Sequence, residues 1–150
     1  MIIYGYIGFS DYFLHGGAST LHIRRYTKND EQALFQLMSS KGEEWDDYLT
    51  NEGVLKFKQT LESSLVFVAY EDDMLCGFSR SIIDGEFYIY VCDLLVDQDC
   101  RGRGIGKELM ESICEAYPGH TVLVMSDVDG YYEKLGYEKE GTLFLVKPQV

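Results

Sequence analysis

The sequence predicts an α/β domain built on a central mixed β-sheet with helices on both faces. Three observations carry that expectation. Short strand-like runs and helically spaced runs follow one another in the order β-αα-βββ-α-β-α-β. Asp84-Gly85, a favoured hairpin dipeptide, separates two long apolar runs. A strand running into a glycine-rich loop and then into a helix spans Phe87 to Ala116, the unit from which sheets with covering helices are made.

The elements follow in order. Leu21 to Tyr26 alternates as a strand does. Asn29 followed by Gln32 reads as a capping box that opens a helix with Ala33, Leu34, Leu37 and Met38 on one face. Ser39 to Asn51 is polar and acidic around the lone Trp45, and Val54, Leu55, Lys58 and Leu61 suggest a second short helix. Leu65 to Tyr70 and Met74 to Ile83 read as strands about the turn Glu71-Asp72-Asp73, with Phe87 to Val96 the next strand. Ile105, Leu109, Ile113 and Ala116 recur at helical spacing. Thr121 to Met125 is a strand, Tyr131 to Leu135 a short helix stopped by Gly136, and Thr142 to Lys147 a last strand.

Composition narrows the function. The chain has 150 residues, 46% of them hydrophobic and 25% charged, which fits one globular domain and excludes a disordered or collagen-like chain. Lys plus Arg number 13 against 25 Asp plus Glu, for a formal charge of −12. Binding through phosphates of nucleic acid, or to an anionic membrane surface, needs a basic face that this balance argues against. Cys76, Cys92, Cys100 and Cys114 form no C-x-x-C pair, and His15, His22 and His120 are scattered. Free buried thiols in a reducing cytoplasm, with no metal and no disulfide framework, are the expectation. Residues 1–20 hold five aromatics, four glycines and one charge; they read either as a packed N-terminal arm or as an over-extended start, with the domain proper at 21–150.

The densest chemical signal is Arg101-Gly102-Arg103-Gly104-Ile105-Gly106-Lys107, which follows a strand and opens a helix. Glycines let a ligand approach the backbone, and the unpaired first-turn amides with the helix dipole make an anion site. Arg101, Arg103 and Lys107 reverse the sign of a strongly acidic chain at that point. Two near matches fail. Arg101 stands where a P-loop needs its first glycine, Glu108 stands where Ser/Thr should follow Lys107, and glycines spaced by two do not make the dinucleotide fingerprint.

The segment resembles the acetyl-CoA signature of the GCN5-related N-acetyltransferase (GNAT) family, Arg/Gln-x-x-Gly-x-Gly/Ala. Asp93-Leu94-Leu95-Val96-Asp97 is similar to that family's bulged fourth strand, and Tyr132-Glu133-Lys134-Leu135-Gly136-Tyr137 to a second element of it. The resemblance covers about Leu21 to Val146. One departure is that Ser126 to Gly130 stands where the family often has an Asn, which implies a shortened helix there.

What the resemblance implies is an acyltransferase in which acetyl-CoA is the co-substrate and a small-molecule or protein amine the acceptor; the thiols already point to the cytoplasm. Pyrophosphate would lie on the amides of Arg101, Gly102, Arg103, Gly104, Ile105, Gly106 and Lys107. The pantetheine arm would run along Leu94, Leu95 and Val96, with the Leu95 amide facing the thioester carbonyl. Tyr132 would be the general acid for the departing thiolate, and Asp93 a candidate general base. Glu43, Glu44, Asp46 and Asp47 would form a cation-attracting rim in which Trp45 offers an aromatic face. The net charge favours a small cationic amine through steering. A non-catalytic acyl-CoA-binding or regulatory module, an acidic protein-interaction domain, and a homodimer all stay open.

Overall fold

The computed structural model describes residues 20–148; the N-terminal arm or over-extended start expected for residues 1–20 lies almost wholly outside them. Among the described residues five strands form one sheet in the order β1-β2-β3-β4-β5. They are β1 (Leu21–Arg25), β2 (Leu65–Glu71), β3 (Met74–Asp84), β4 (Tyr88–Val96) and β5 (Thr121–Val124). The first three pairings are antiparallel and the last, β4 with β5, is parallel. The helices are α1 (Glu31–Ser39), α2 (Asp46–Leu49), α3 (Asn51–Ser63), α4 (Ile105–Ala116) and α5 (Asp129–Lys134).

Alternation along β2 explains the layers. Leu65, Phe67 and Ala69 point to one face, where they meet Ile105, Leu109 and Ile113 of α4 together with Ile89 and Val91. Val66 and Val68 point to the other, against Leu34, Leu37 and Met38 of α1 and Phe57 and Leu61 of α3. β2 is thus apolar on both sides because it is covered on both sides. The expected mixed sheet with helices on both faces is the observed architecture.

Several local expectations need correction. The first helix is entered through Thr27, not Asn29: a 3-10 turn at Lys28–Asp30 leads into α1, and Asp30 Oδ2 accepts the Thr27 amide at 2.8 Å. Asp30 is buried and also accepts both terminal nitrogens of Arg24 (2.8 and 2.7 Å) and the Tyr70 hydroxyl (2.9 Å). Burial acts to raise its pKa, but the bonds from Arg24, Thr27 and Tyr70 outweigh it and hold the carboxyl near 2. In α3, capped by Thr50 accepting the Gly53 amide at 2.9 Å, Phe57 sets the buried face with Leu61, and Leu55 is 65% exposed. Ala116 is exposed as well. The strand expected over Thr142 to Lys147 does not form. β5 is the sheet's last strand among the described residues, and Leu143 to Val146 lie in solvent without a neighbour to complete their backbone hydrogen bonds.

Candidate functional site

The glycine loop is shaped for close backbone approach. Gly102 and Gly104 have φ of 77° and 80°, in the left-handed region where a β-carbon costs about 1–2 kcal/mol. Gly104 is the N-cap of α4, and the first bond inside the helix runs from Glu108 to the Gly104 carbonyl at 3.0 Å. The amides of Ile105 and Gly106 precede that bond, so the helix itself gives them no acceptor. With the dipole behind them they are suited to hold an anion. The base of the loop is fixed by Asp97, whose Oδ1 accepts the Asp99 amide at 2.9 Å.

The cations of this segment are less free than the sequence suggests. Arg103 Nη1 donates to both carboxylate oxygens of Glu71 at 2.7 and 2.8 Å. Lys107 Nζ donates to Glu111 at 2.7 Å, and Arg101 Nε donates to the Val96 carbonyl at 3.2 Å. The Lys107 and Arg101 pairings lie at the surface or only partly buried, where exchange for an incoming phosphate costs little, whereas Arg103 is held by a Glu71 side chain only 11% exposed.

Beside the loop, β4 offers an edge that is unpaired among the described residues. Val91 lies opposite Ser81 and Asp93 opposite Arg80, so Cys92 is the extra residue of a β-bulge. The bulge therefore sits directly before Asp93. Pairing with β5 stops at Val91–Val124, which leaves Asp93 to Val96 open on that side. The Met125 amide reaches the Val91 carbonyl (3.0 Å), whereas the Asp97 amide reaches Cys76 of β3 (2.7 Å). Counting back by two from Asp97, the amides of Leu95 and Asp93 face β3, and those of Leu94 and Val96 face the opening. The backbone donors of the cleft are thus Leu94 and Val96, a correction to the role expected for Leu95, which is committed to β3.

Of the α5 tyrosines, Tyr131 lies beside the start of α4. The hydroxyl of Tyr131 lies against Gly106: a β-carbon there would come within 2.4 Å of it and 3.6 Å from Leu94 Cδ2. A side chain at 106 could be accommodated only if the Tyr131 ring moved aside. Tyr132 packs edge-on against Tyr131 with ring centroids 5.0 Å apart. Burial, with smaller effects of Asp127 and Tyr131, raises its pKa above the ordinary tyrosine value, so its hydroxyl keeps its proton at neutral pH.

The remaining expected residues separate. Asp93 is ion-paired with Arg80 Nε, both side chains being only 12–13% exposed, and Arg80 also lies over the Phe57 ring at 5.8 Å. This carboxylate is part of a packed pair, which counts against the general-base role. Trp45 is buried against Phe78 and Tyr48 (centroids 6.0 and 5.6 Å) and offers no open ring face, because the short turn Glu43–Trp45 folds it into the core. Glu43, Glu44, Asp46 and Asp47 are exposed, as a solvated rim would be. Lys41, unremarked in the sequence, joins that rim to the glycine loop: its Nζ lies 3.3 Å from Asp97 Oδ2. A separate shallow groove of about 710 Å³ between α1 and α3 is lined by Phe35, Leu49, Val54 and Lys58 and shares no residue with the loop. No helix among the described residues is long and apolar enough to cross a membrane.

Comparison with known proteins bears on this geometry. The model of the acetyltransferase (GNAT) domain matches residues 62–139. The peptidyl-lysine N-acetyltransferase YjaB of Salmonella typhimurium is 28% identical over 129 residues, 81% of this chain and 86% of that protein. The aminoglycoside N-acetyltransferase AAC(6')-Iy, solved in complex with CoA, has a TM-score of 0.72 at 15% identity, covering 91% of this chain and 100% of that one. A GNAT-family acetyltransferase from Streptococcus pneumoniae TIGR4 has a TM-score of 0.66 at 21% identity, covering 85% and 99%. At these identities the solved structures speak to the fold.

Proposed function

Because the chain belongs to the GNAT acetyltransferase family and is an N-acetyltransferase, we propose that it transfers acetyl from acetyl-CoA to the primary amine of a small cationic acceptor. The observation that carries this reading is the juxtaposition of the left-handed Gly102/Gly104 loop, at the N-terminus of α4, with the β4 edge freed by the Cys92 bulge. The loop suits a pyrophosphate. The edge suits an amide-bearing arm that bonds like an added strand through Leu94 and Val96.

In this reading the amine attacks the thioester carbonyl directly, in a ternary complex. The N–C bond forms, the C–S bond breaks with its electron pair on sulfur, Tyr132 gives its phenolic proton to the thiolate, and the second proton lost from nitrogen passes through water to restore the phenol. A backbone amide at the opening of β4 stabilises the oxyanion. With Asp93 held by Arg80, removal of the ammonium proton falls to water at the acidic rim. The formal charge of −12 and the exposed carboxylates of Glu43, Glu44, Asp46 and Asp47 favour a cationic acceptor by steering.

A second acceptor, a lysine side chain of a protein, is favoured by the name of the Salmonella relative. The test is free-thiol release from acetyl-CoA with polyamines, aminoglycosides and lysine peptides supplied separately. Turnover with the free polyamines or aminoglycosides supports the first reading, and turnover only with lysine peptides supports the second. No thiol release with any amine, despite CoA binding, would replace both with a non-catalytic acyl-CoA-binding module.

A further inference from the structure

Three side chains that the acetyl-transfer reading does not use converge beneath the glycine loop. They are Glu71 at the end of β2, Cys76 in β3, and Cys100 at the end of the 3-10 turn before Arg101. The Glu71 carboxylate oxygen and the two Sγ atoms lie within 4.8 Å of one another. Both cysteines are fully buried, and the Glu71 side chain is 11% exposed. The meeting is a product of sheet geometry. The register of β2 with β3 shifts between Ala69–Gly77 and Tyr70–Leu75, leaving Cys76 as an extra residue. That bulge turns Cys76 onto the α4 face, where Cys100 also packs.

We propose that Glu71, Cys76 and Cys100 form a binding site for a thiophilic divalent cation of the zinc class. Two sulfurs and one carboxylate oxygen select such an ion over Mg²⁺ or Ca²⁺, which take oxygen ligands. Bonds of about 2.3 Å to sulfur and about 2.0–2.2 Å to oxygen need little movement of atoms already this close, and three protein ligands leave a fourth position for water. Charge also balances. Two thiolates and one carboxylate around a divalent ion leave one negative charge, and the Arg103 guanidinium on Glu71 supplies the positive one while orienting the ligating carboxylate. Short sequence motifs do not signal such a site, because its ligands come from three elements.

The thiolate, not the thiol, is the metal ligand, so both thiol protons must leave on binding. The balance is one divalent ion plus two thiols and one carboxylate giving the bound ion and two protons, and affinity should rise with pH. The inference is independent of the acetyl-transfer reading, since it concerns metal uptake alone.

The test is titration of Co²⁺ into the chain carrying Cys92→Ser and Cys114→Ser, which removes the other two thiols. The expected result is a thiolate-to-cobalt charge-transfer band saturating at one equivalent, with two protons released per ion and the band displaced by Zn²⁺. Adding Cys100→Ser should abolish the band. Glu71→Gln, which keeps both thiols and the side-chain shape, should weaken Co²⁺ binding by about 10-fold or more. Absence of the band in the folded starting protein, or its persistence after loss of either Cys76 or Cys100, would overturn the proposal.

Discussion

Lys41 Nζ lies 3.3 Å from Asp97 Oδ2, with the Lys41 side chain only 10% exposed. The contact ties the segment after α1 to the root of the glycine loop, so the acidic turn that follows Lys41 stands beside the proposed cofactor site. Neutralising Glu43, Glu44, Asp46 and Asp47 together should therefore raise the acceptor KM and flatten its salt dependence, because exposed charges act over about 8 Å at physiological ionic strength. The KM for acetyl-CoA should barely move. Steady-state kinetics at two salt concentrations check this, and an unchanged acceptor KM would leave the rim as ordinary solvated surface.

Tyr132→Phe keeps the ring and removes the proposed proton donor. We expect kcat to fall by about 10²-fold or more with little change in CoA affinity. The deficit should shrink at lower pH, where solvent protonates a thiolate of pKa about 8.5 more readily. Tyr131→Phe is the matched control, and its kcat should stay near that of the parent. Wild-type turnover of Tyr132→Phe across the pH range would return that residue to packing.

The contact of Gly106 with the Tyr131 hydroxyl can be measured by a double-mutant cycle. Gly106→Ala gains up to about 1 kcal/mol of helix propensity but drives a β-carbon to within 2.4 Å of that oxygen. Tyr131 is a half-exposed side chain that can yield, so the net stability change should be small. In a Tyr131→Phe background the overlap is gone, and the same substitution should stabilise by about 0.5–1 kcal/mol more. Urea denaturation of the four proteins gives the coupling; additive effects would refute the contact.

Asp30 makes an acid-sensitive lock between β1, α1 and β2. Its folded pKa, about 2, lies below the ordinary aspartate value of about 3.9. Its contribution is therefore complete above that value and is lost as pH falls toward the folded one, amounting to about 2–3 kcal/mol at neutrality. Asp30→Asn should lose roughly that much stability at pH 7 and converge on the parent near pH 2. A parallel pH dependence of the two proteins would contradict the lock.

How far the sequence carries depends on the range of the interactions involved. The glycine loop, α4 and the Asp84-Gly85 hairpin are local, written in spacing and turn residues, and all three form. The Cys92 bulge, the Arg80–Asp93 pair and the Lys41–Asp97 contact join residues whose partners only the sheet brings near. So the glycine loop is legible in the sequence, while the alternation that turns the Leu94 and Val96 amides, rather than that of Leu95, to the open edge is not. Trp45 illustrates the same limit. A tryptophan in an acidic run reads as surface, yet Phe78, 33 positions on in β3, buries it. Thr142 to Lys147 has the pattern of a strand and lacks only a neighbour.

In the proposed complex acetyl-CoA lies across the N-terminus of α4 and the open edge of β4. Amide hydrogen exchange resolved by residue, with and without saturating CoA, addresses it directly. The expected result is new protection at Gly104, Ile105 and Gly106, and at Leu94 and Val96, with Leu95 unchanged because its amide already faces β3. Protection confined to the groove between α1 and α3, or no change at Gly104 to Gly106, would contradict the account.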